Sequence, residues 1–291
     1  DALVGFMAWA ERCRNTQATR ADITEDFTLT GDIDLTGVEW VPIGAPGNPY
    51  YGTFDGGGHT IKGLKVNVSG NDDAGLFGNF SGVVKNLTVE GANVKGTWDA
   101  GAIVGYNAGA CIIACRAINC TVEGGSAAGG IVGLNLGVVV ACHTKGGSIQ
   151  GYYSGGIAGV NNYNKIIACV AEPETVTGSG STGVLVGENS AEGLLTTCYW
   201  RAGTGATGAI GKDYTNNPHT TTELEAGGIT PDECDAMNDA IENYNNNLKG
   251  HEAHKLCTFR WSSTSIPGSG GGITIGGFDD EGEIPVGAID N

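Results

Sequence analysis

Hydrophobic residues in this chain come in short runs of three or four, each closed by Gly, Asn or Ser, and the runs return in register. The clearest begins as Gly75-Leu76-Phe77-Gly78 and becomes Gly101-Ala102-Ile103-Val104-Gly105-Tyr106-Asn107. It recurs as Gly129-Gly130-Ile131-Val132-Gly133-Leu134-Asn135, Gly155-Gly156-Ile157-Ala158-Gly159-Val160-Asn161 and Gly183-Val184-Leu185-Val186-Gly187-Glu188-Asn189. Its second glycine stands at 78, 105, 133, 159 and 187, in steps of 27, 28, 26 and 28 residues. A fixed period of this size marks a stacked repeat architecture.

Two more apolar runs lie between the glycine phrases. One is Val83-Val84, Ile112-Ile113, Val138-Val139-Val140, Ile166-Ile167 and Leu194-Leu195; the other is Leu87-Thr88-Val89, Thr121-Val122, Ser148-Ile149 and Thr175-Val176. Short β-branched runs bounded by turn residues read as strands, and glycines this close together leave no room for helices. Three short strands per period predict an all-β chain, a parallel β-helix of about five to six coils stacked ~4.8 Å apart. The general handedness of parallel crossovers predicts a right-handed coil.

Phe27 to Leu64 reads as the opening coil. A stack of coils has two open ends that need covers. Leu3, Phe6, Met7, Ala10 and Cys13 fall at helical spacing, so residues 1–20 are expected to form a helical N-terminal cap. Residues 21–200 form the repeat body, and residues 201–291 an irregular C-terminal cap with a Gly- and acid-rich tail. Within that last region Pro231-Asp232-Glu233 opens a polar, helix-compatible stretch through Lys249.

The phrase Gly-Gly-Ile-Val-Gly-x-Asn at this period resembles the GLUG motif. Tyr51-Gly52-Thr53-Phe54-Asp55-Gly56-Gly57-Gly58-His59-Thr60-Ile61 is similar to the opening coil that precedes such repeats, and Cys198-Tyr199-Trp200 to their close. The resemblance covers Phe27 to Trp200 and departs from the pattern at Phe80, where later copies have Asn. It implies a bacterial secreted or surface-anchored β-helical protein, a class frequent in gut Bacteroidetes and often described as adhesins. It implies no active site.

The formal charge of −17 argues against nucleic acid and anionic lipid as partners, since both require clustered Lys and Arg. No stretch approaches the length of a membrane helix, and no leader opens the chain, so a lipid anchor would lie upstream of residue 1. Four of the nine cysteines, Cys115, Cys142, Cys169 and Cys198, recur at one place in successive coils. That placement predicts a column of free interior thiols rather than a disulfide framework or a metal site.

Asn107, Asn135, Asn161 and Asn189 form a second column, read as a structural ladder in which Asn serves the turn and bonds to the next coil. The aromatics break the repeat and are the candidate ligand-binding residues: Trp98, Tyr106, Tyr152, Tyr153 and Tyr163. Trp98 and Tyr152 each lie three residues before a glycine phrase, two coils apart, so they share a column. Exposed aromatics on a rigid sheet can stack on sugar rings or anchor a protein.

Signals for catalysis are poor. His143 follows Cys142, but neighbouring strand residues face opposite ways. His251-Glu252-Ala253-His254 lacks the spacing of a zinc helix. Asp32, Asp34, Asp55, Asp72 and Asp73 are carboxylate candidates that also read as turn caps. No catalytic residue, metal or cofactor is therefore expected. The expectation is an extracellular, outer-membrane-associated adhesin-like rod that binds glycan or a cell-surface protein. A β-helical polysaccharide lyase or hydrolase, and a structural spacer, are the alternatives.

Overall fold

The computed structural model describes residues 2–70, 73–225, 228–248, 257, 259–265 and 273–275. Parallel strands stack into a solenoid with five sheets running along its length. The first sheet has seven strands, from Phe27–Thr28 to Leu194–Thr196, and the second has eight, from Ile33–Asp34 to Thr221–Glu223. The third has five, from Lys65–Asn67 to Thr175–Gly178; the fourth has four, from Ala100–Gly101 to Thr182–Gly183. The fifth has six, from Phe77–Phe80 to Ile210–Asp213. Each coil visits the sheets in that order, and the seven strands of the first sheet count about seven coils.

The coil thus carries up to five strands, where the sequence suggested three and a shorter stack. Two corners explain the difference. The run that seemed single belongs to two sheets: Thr88–Glu90 lies in the second, while Thr121–Gly124, Ser148–Gly151 and Thr175–Gly178 lie in the third. The chain turns between these sheets at left-handed residues such as Gly91 (φ 63°), Asn119 (φ 52°) and Gly146 (φ 65°). The glycine phrase is likewise two strands, Ala100–Gly101 and Val104–Asn107 in one coil, joined by a tight turn. A Cβ on Gly101 would stand 2.2 Å from Val104 O, and on Gly129 1.9 Å from Val132 O, so the turn excludes any side chain there. The second phrase glycine is small because the previous coil's fourth-sheet backbone runs over it: a Cβ on Gly133 would meet Ala100 N at 2.6 Å.

The interior is filled by columns of like residues. Cys115, Cys142, Cys169 and Cys198 are buried and free, as expected, and each thiol donates to a main-chain carbonyl at 3.3–3.8 Å. Burial pushes the Cys142 and Cys198 thiols well up, which keeps them neutral. The residue before each is the left-handed corner from first to second sheet: Ala114, Ala141, Ala168 and Thr197, at φ 51° to 54°.

Helix α1, Ala2–Ala18, closes the N-terminal end. Its Phe6, Trp9, Ala10 and Cys13 are buried, while Leu3, expected inside, is partly exposed. Phe6 stacks on Trp40 at 5.1 Å and Trp9 meets Phe54 at 5.2 Å, with Tyr50, Phe77 and Phe80 beneath, so aromatic volume plugs the tube.

The other end is built differently. Parallel pairing continues past residue 200 through Ile210–Asp213 and Thr221–Glu223. Helix α2, Pro231–Asn247, starts with a Thr230/Glu233 capping box and Pro231 at its first turn. It lies along the flank rather than over the end. Its Met237, Ile241 and Tyr244 form a second core with Cys111, Ile113, Val138, Val140 and Ile167 on the outer face of the first sheet. Cys257, Phe259 and Trp261 join this core, held by Asn245 and Asn238 side-chain bonds to Cys257 and Trp261. An apolar outer sheet face makes such a flank cover necessary; α2 falls on the helix-compatible stretch that the sequence opens at Pro231, but packs on the flank where a cap over the end was expected. Among the described residues no helix is long and apolar enough to cross a membrane. His251 to His254 and Asp72 lie outside the described residues.

Candidate functional site: a polar groove walled by Tyr152

The outward face of the third sheet carries a polar column, Lys95, Glu123, Gln150 and Thr177, in successive coils. The following position is Gly in all four coils: Gly96, Gly124, Gly151 and Gly178. Glycine is required because the chain bends there into the fourth sheet; a Cβ on Gly124 would stand 2.5 Å from Ala127 O. A polar column beside a stripe without side chains leaves a groove of about 420 Å³, lined by Glu123, Gln150, Tyr152, Thr177 and Ser179.

Tyr152 forms its wall. The phenol lies over the backbone of the next coil, where a Cβ on Gly180 would come 2.6 Å from Tyr152 Cε1. Tyr152 is 48% exposed and meets Tyr153 edge to face, centroids 4.7 Å apart at 90°. Ala100 pairs with Ala128 and Ala127 with Tyr153, so Trp98 and Tyr152 occupy one column two coils apart, with Ser126 between. Trp98 is 50% exposed.

Beyond Tyr152 the surface continues over Tyr153, Glu188, Lys212 and Tyr214. Glu188 and Lys212 are register partners, and Lys212 Nζ sits 4.5 Å from the Tyr214 ring centre. Burial pushes the Tyr153 phenol up, and Glu188, Tyr152 and Tyr214 add to it.

The five aromatic candidates therefore separate. Tyr152 lines the groove, Tyr153 meets it edge to face, and Trp98 lies in the same column two coils away. Tyr106 stands on the fifth sheet between Asn79 and Leu134, half-buried. Tyr163 projects from the corner between fifth and first sheets, left-handed at φ 65°. Sequence reasoning missed Glu123, Gln150 and Thr177 as site residues: their runs align in the repeat, but that a groove opens beside the following glycines shows only in the fold. It also missed Tyr214, which follows the last rung outside the period.

The carboxylate candidates Asp34 and Asp55 cap their own turns, accepting from Thr36 N and Gly57 N, while Asp32 accepts from Thr60 N of the next coil, each at 2.9 Å. Asp73 belongs to a different arrangement. Its Oδ1 accepts from Asp99 N at 3.3 Å, and its Oδ2 accepts from Asn79 Nδ2 at 2.5 Å. Asp99 is 6% exposed, and burial, followed by the charge of Asp73, holds its carboxyl up at about 6. The same two carboxylates, after burial, raise the Tyr106 phenol.

A third polar cluster lies under the C-terminal segment. His143 Nε2 is 3.1 Å from Glu172 Oε2, and Arg201 Nη2 donates to Glu172 Oε1 at 2.6 Å. Burial lowers His143, and although burial raises Glu172, the bonds and charges of His143 and Arg201 outweigh it and bring that carboxyl down to about 2. Trp261 covers His143 edge-on at 6.4 Å. Cys142 and His143 do face opposite ways, one into the tube and the other into this network. A fourth feature is a cleft of about 540 Å³ between α2 and the first sheet; Lys165 and Asp239 both line it, without a described ion pair between them.

No family model matches the sequence, so the GLUG phrase remains a resemblance. The fold is similar to that of a Bacteroides ovatus protein described as "a putative immunoglobulin A1 protease", with a TM-score of 0.52 at 21% identity over 86% of this chain and 90% of that one. At that identity the likeness is one of fold. Halomucin of Haloquadratum walsbyi is 33% identical over 142 residues, 45% of this chain. A "Putative Gly-rich membrane protein" of Evansella cellulosilytica is 35% identical over 96 residues, 30% of this chain. The matches span 2% and 11% of those two proteins' lengths, so this chain is a β-solenoid alike to small portions of much longer proteins.

Proposed function

We propose that the chain is a rigid binding rod displayed outside a bacterial cell, and that its groove beside Tyr152 takes carbohydrate. The observation that carries this reading is the pairing of an exposed phenol wall with Glu123, Gln150, Thr177 and Ser179 on a glycine floor. Sugars offer apolar ring faces and a rim of hydroxyls, and this surface supplies a stacking ring and hydrogen-bonding groups to match. The solenoid holds these groups at fixed spacing, so little ordering cost attends binding. The name of one similar protein, the Gly-rich membrane protein, supports a position at the cell boundary. A glycan array tests the reading: Tyr152→Ala should markedly weaken the signals of the wild-type protein while leaving its thermal unfolding in place. An array with no signals, or signals indifferent to this change, removes the proposal.

A second reading, a carbohydrate-active enzyme, draws on Asp73 and Asp99, two carboxyls held together with one raised to about 6. Bond cleavage in a polysaccharide panel that disappears in Asp99→Asn would favour it. Intact polysaccharide throughout would dismiss it.

A further inference from the structure

We infer that the ligand of the groove is an uncharged, β-1,4-linked glycan lying parallel to the solenoid axis, one sugar per coil; this rests on the carbohydrate reading above. The first argument is spacing. Polar contacts of the third sheet recur once per coil, Lys95, Glu123, Gln150 and Thr177, at steps of ~4.8 Å. That step is close to the length of one extended pyranose unit, so an axial chain would meet one side chain per sugar without changing register.

The second argument is the alternation of the aromatics. Trp98 and Tyr152 are two coils apart in one column, ~10 Å, and the coil between them presents Ser126. In a β-1,4-linked chain each ring is turned over relative to the one before, so the same face returns at every second unit. Rings at alternate coils suit such a chain. A helical α-1,4-linked chain curves away from a straight row and does not present its faces in this way.

The third argument is charge. The chain's formal charge is −17, and Glu123 lines the groove while no Lys or Arg does. Lys95, the cation next along the column, is committed to Glu123 at 2.8 Å. A uronate or sulfated polymer would bring like charge to this surface, whereas neutral hydroxyls can donate to Glu123 and bond with Gln150.

The test is calorimetric titration of the full chain with cellohexaose, xylohexaose and mannohexaose, against maltohexaose and oligogalacturonate of equal length. At least one neutral β-1,4 hexasaccharide should bind more than tenfold tighter than the last two, and its disaccharide about tenfold weaker or worse. Trp98→Ala and Tyr152→Ala should each weaken it about tenfold, with Trp98→Phe and Tyr152→Phe near wild type and all four variants melting as folded proteins. Tighter binding of maltohexaose or oligogalacturonate overturns the inference while leaving a carbohydrate site in place, as does indifference to Trp98→Ala. Failure of every sugar to bind overturns both this inference and the carbohydrate reading.

Discussion

Asn189 donates its side-chain amide to Asp213 Oδ1 at 3.0 Å, and this bond ends a ladder running through five coils. Asn107 donates to Asn135, Asn135 to Asn161 and Asn161 to Asn189, each at 2.8 Å, all four fully buried. Every amide also bonds main-chain groups of its own turn, at Ala110, Gly137, Asn164 and Gly193. The donors all point toward the C-terminus, so the last rung must be an acceptor. Asp213 supplies it, its second oxygen taking a proton donor from His219 Nε2 at 3.0 Å while Leu195 N donates to His219 Nδ1.

An interior rung should therefore matter greatly. Asn161→Ala removes the acceptor of Asn135, the donor to Asn189 and a bond to Asn164 O, leaving buried polar atoms unpaired. At about 1–3 kcal/mol for each orphaned group, the loss should reach about 3 kcal/mol or more in denaturant unfolding. Stability within 1 kcal/mol of wild type, on that same scale, would show the ladder to be incidental.

Asp99 works in the opposite sense. Its carboxyl titrates near 6 in the folded chain against an ordinary 3.8, so the folded state holds the proton more tightly. Ionisation above that pH costs stability, and the cost vanishes once pH falls below about 4. Asp99→Asn keeps an acceptor for Ala127 N and loses the charge beside Asp73. It should stabilise the protein by about 2 kcal/mol at pH 7.5 and by nothing near pH 3.5, measured by urea unfolding at both values. Equal effects at the two pH values would contradict the buried-charge account.

Glu172 gives the acid side of the profile. Its carboxyl lies near 2 in the folded chain against 4.5 ordinarily. Its stabilisation, about 3 kcal/mol, is thus complete above pH 4.5 and is lost as pH falls toward 2. His143, buried and lowered, pulls the same way from its ordinary 6.5 downward, because the unfolded imidazole takes the proton first. Arg116 and Lys145 also face His143 and oppose its protonation, while Glu172 and Trp261 complete its surroundings. Melting temperature should fall steeply between pH 4.5 and 2 in wild type and more gently in Glu172→Gln. Parallel curves would place the acid sensitivity elsewhere.

The sequence displayed the stacking because columns repeat visibly: the phrase glycines, Cys115 to Cys198, and Asn107 to Asn189 all occupy the stations expected of them. It hid the corners. Asn107 and its partners are strand residues, and the left-handed turns fall instead at Ala114, Ala141, Ala168 and Thr197, residues whose identity carries no turn signal. Without the second-to-third-sheet corners at Gly91, Asn119 and Gly146, third-sheet Thr121 and second-sheet Thr88 looked equivalent, and Lys95 could not be placed at the head of the Glu123–Gln150–Thr177 column. Long-range partners were equally silent: nothing local to His143 foretells Glu172, Arg201 or Trp261. At the groove, Trp98 and Tyr152 stood out because they break the repeat, and the shape between them depended on glycines read only as turns.

The position of the Tyr152 ring offers a way to alter the groove without touching the ring. It rests on Gly180, where an added Cβ would come 2.6 Å from Tyr152 Cε1 and 2.7 Å from Cδ1. Gly180→Ala must swing the phenol off the next coil and also shift the Tyr152 carbonyl, 2.7 Å from the new Cβ, at a stability cost of about 1–3 kcal/mol. The wall then no longer stands beside Gln150 and Thr177, and affinity for the glycan that binds wild type should fall about tenfold. Gly208→Ala, where the added Cβ would meet nothing nearer than Ile210 O at 3.9 Å and the backbone is not left-handed, serves as the control for a changed glycine. Unchanged binding in a folded Gly180→Ala protein would mean that the ring's seat, and so the groove it walls, has no part in recognition.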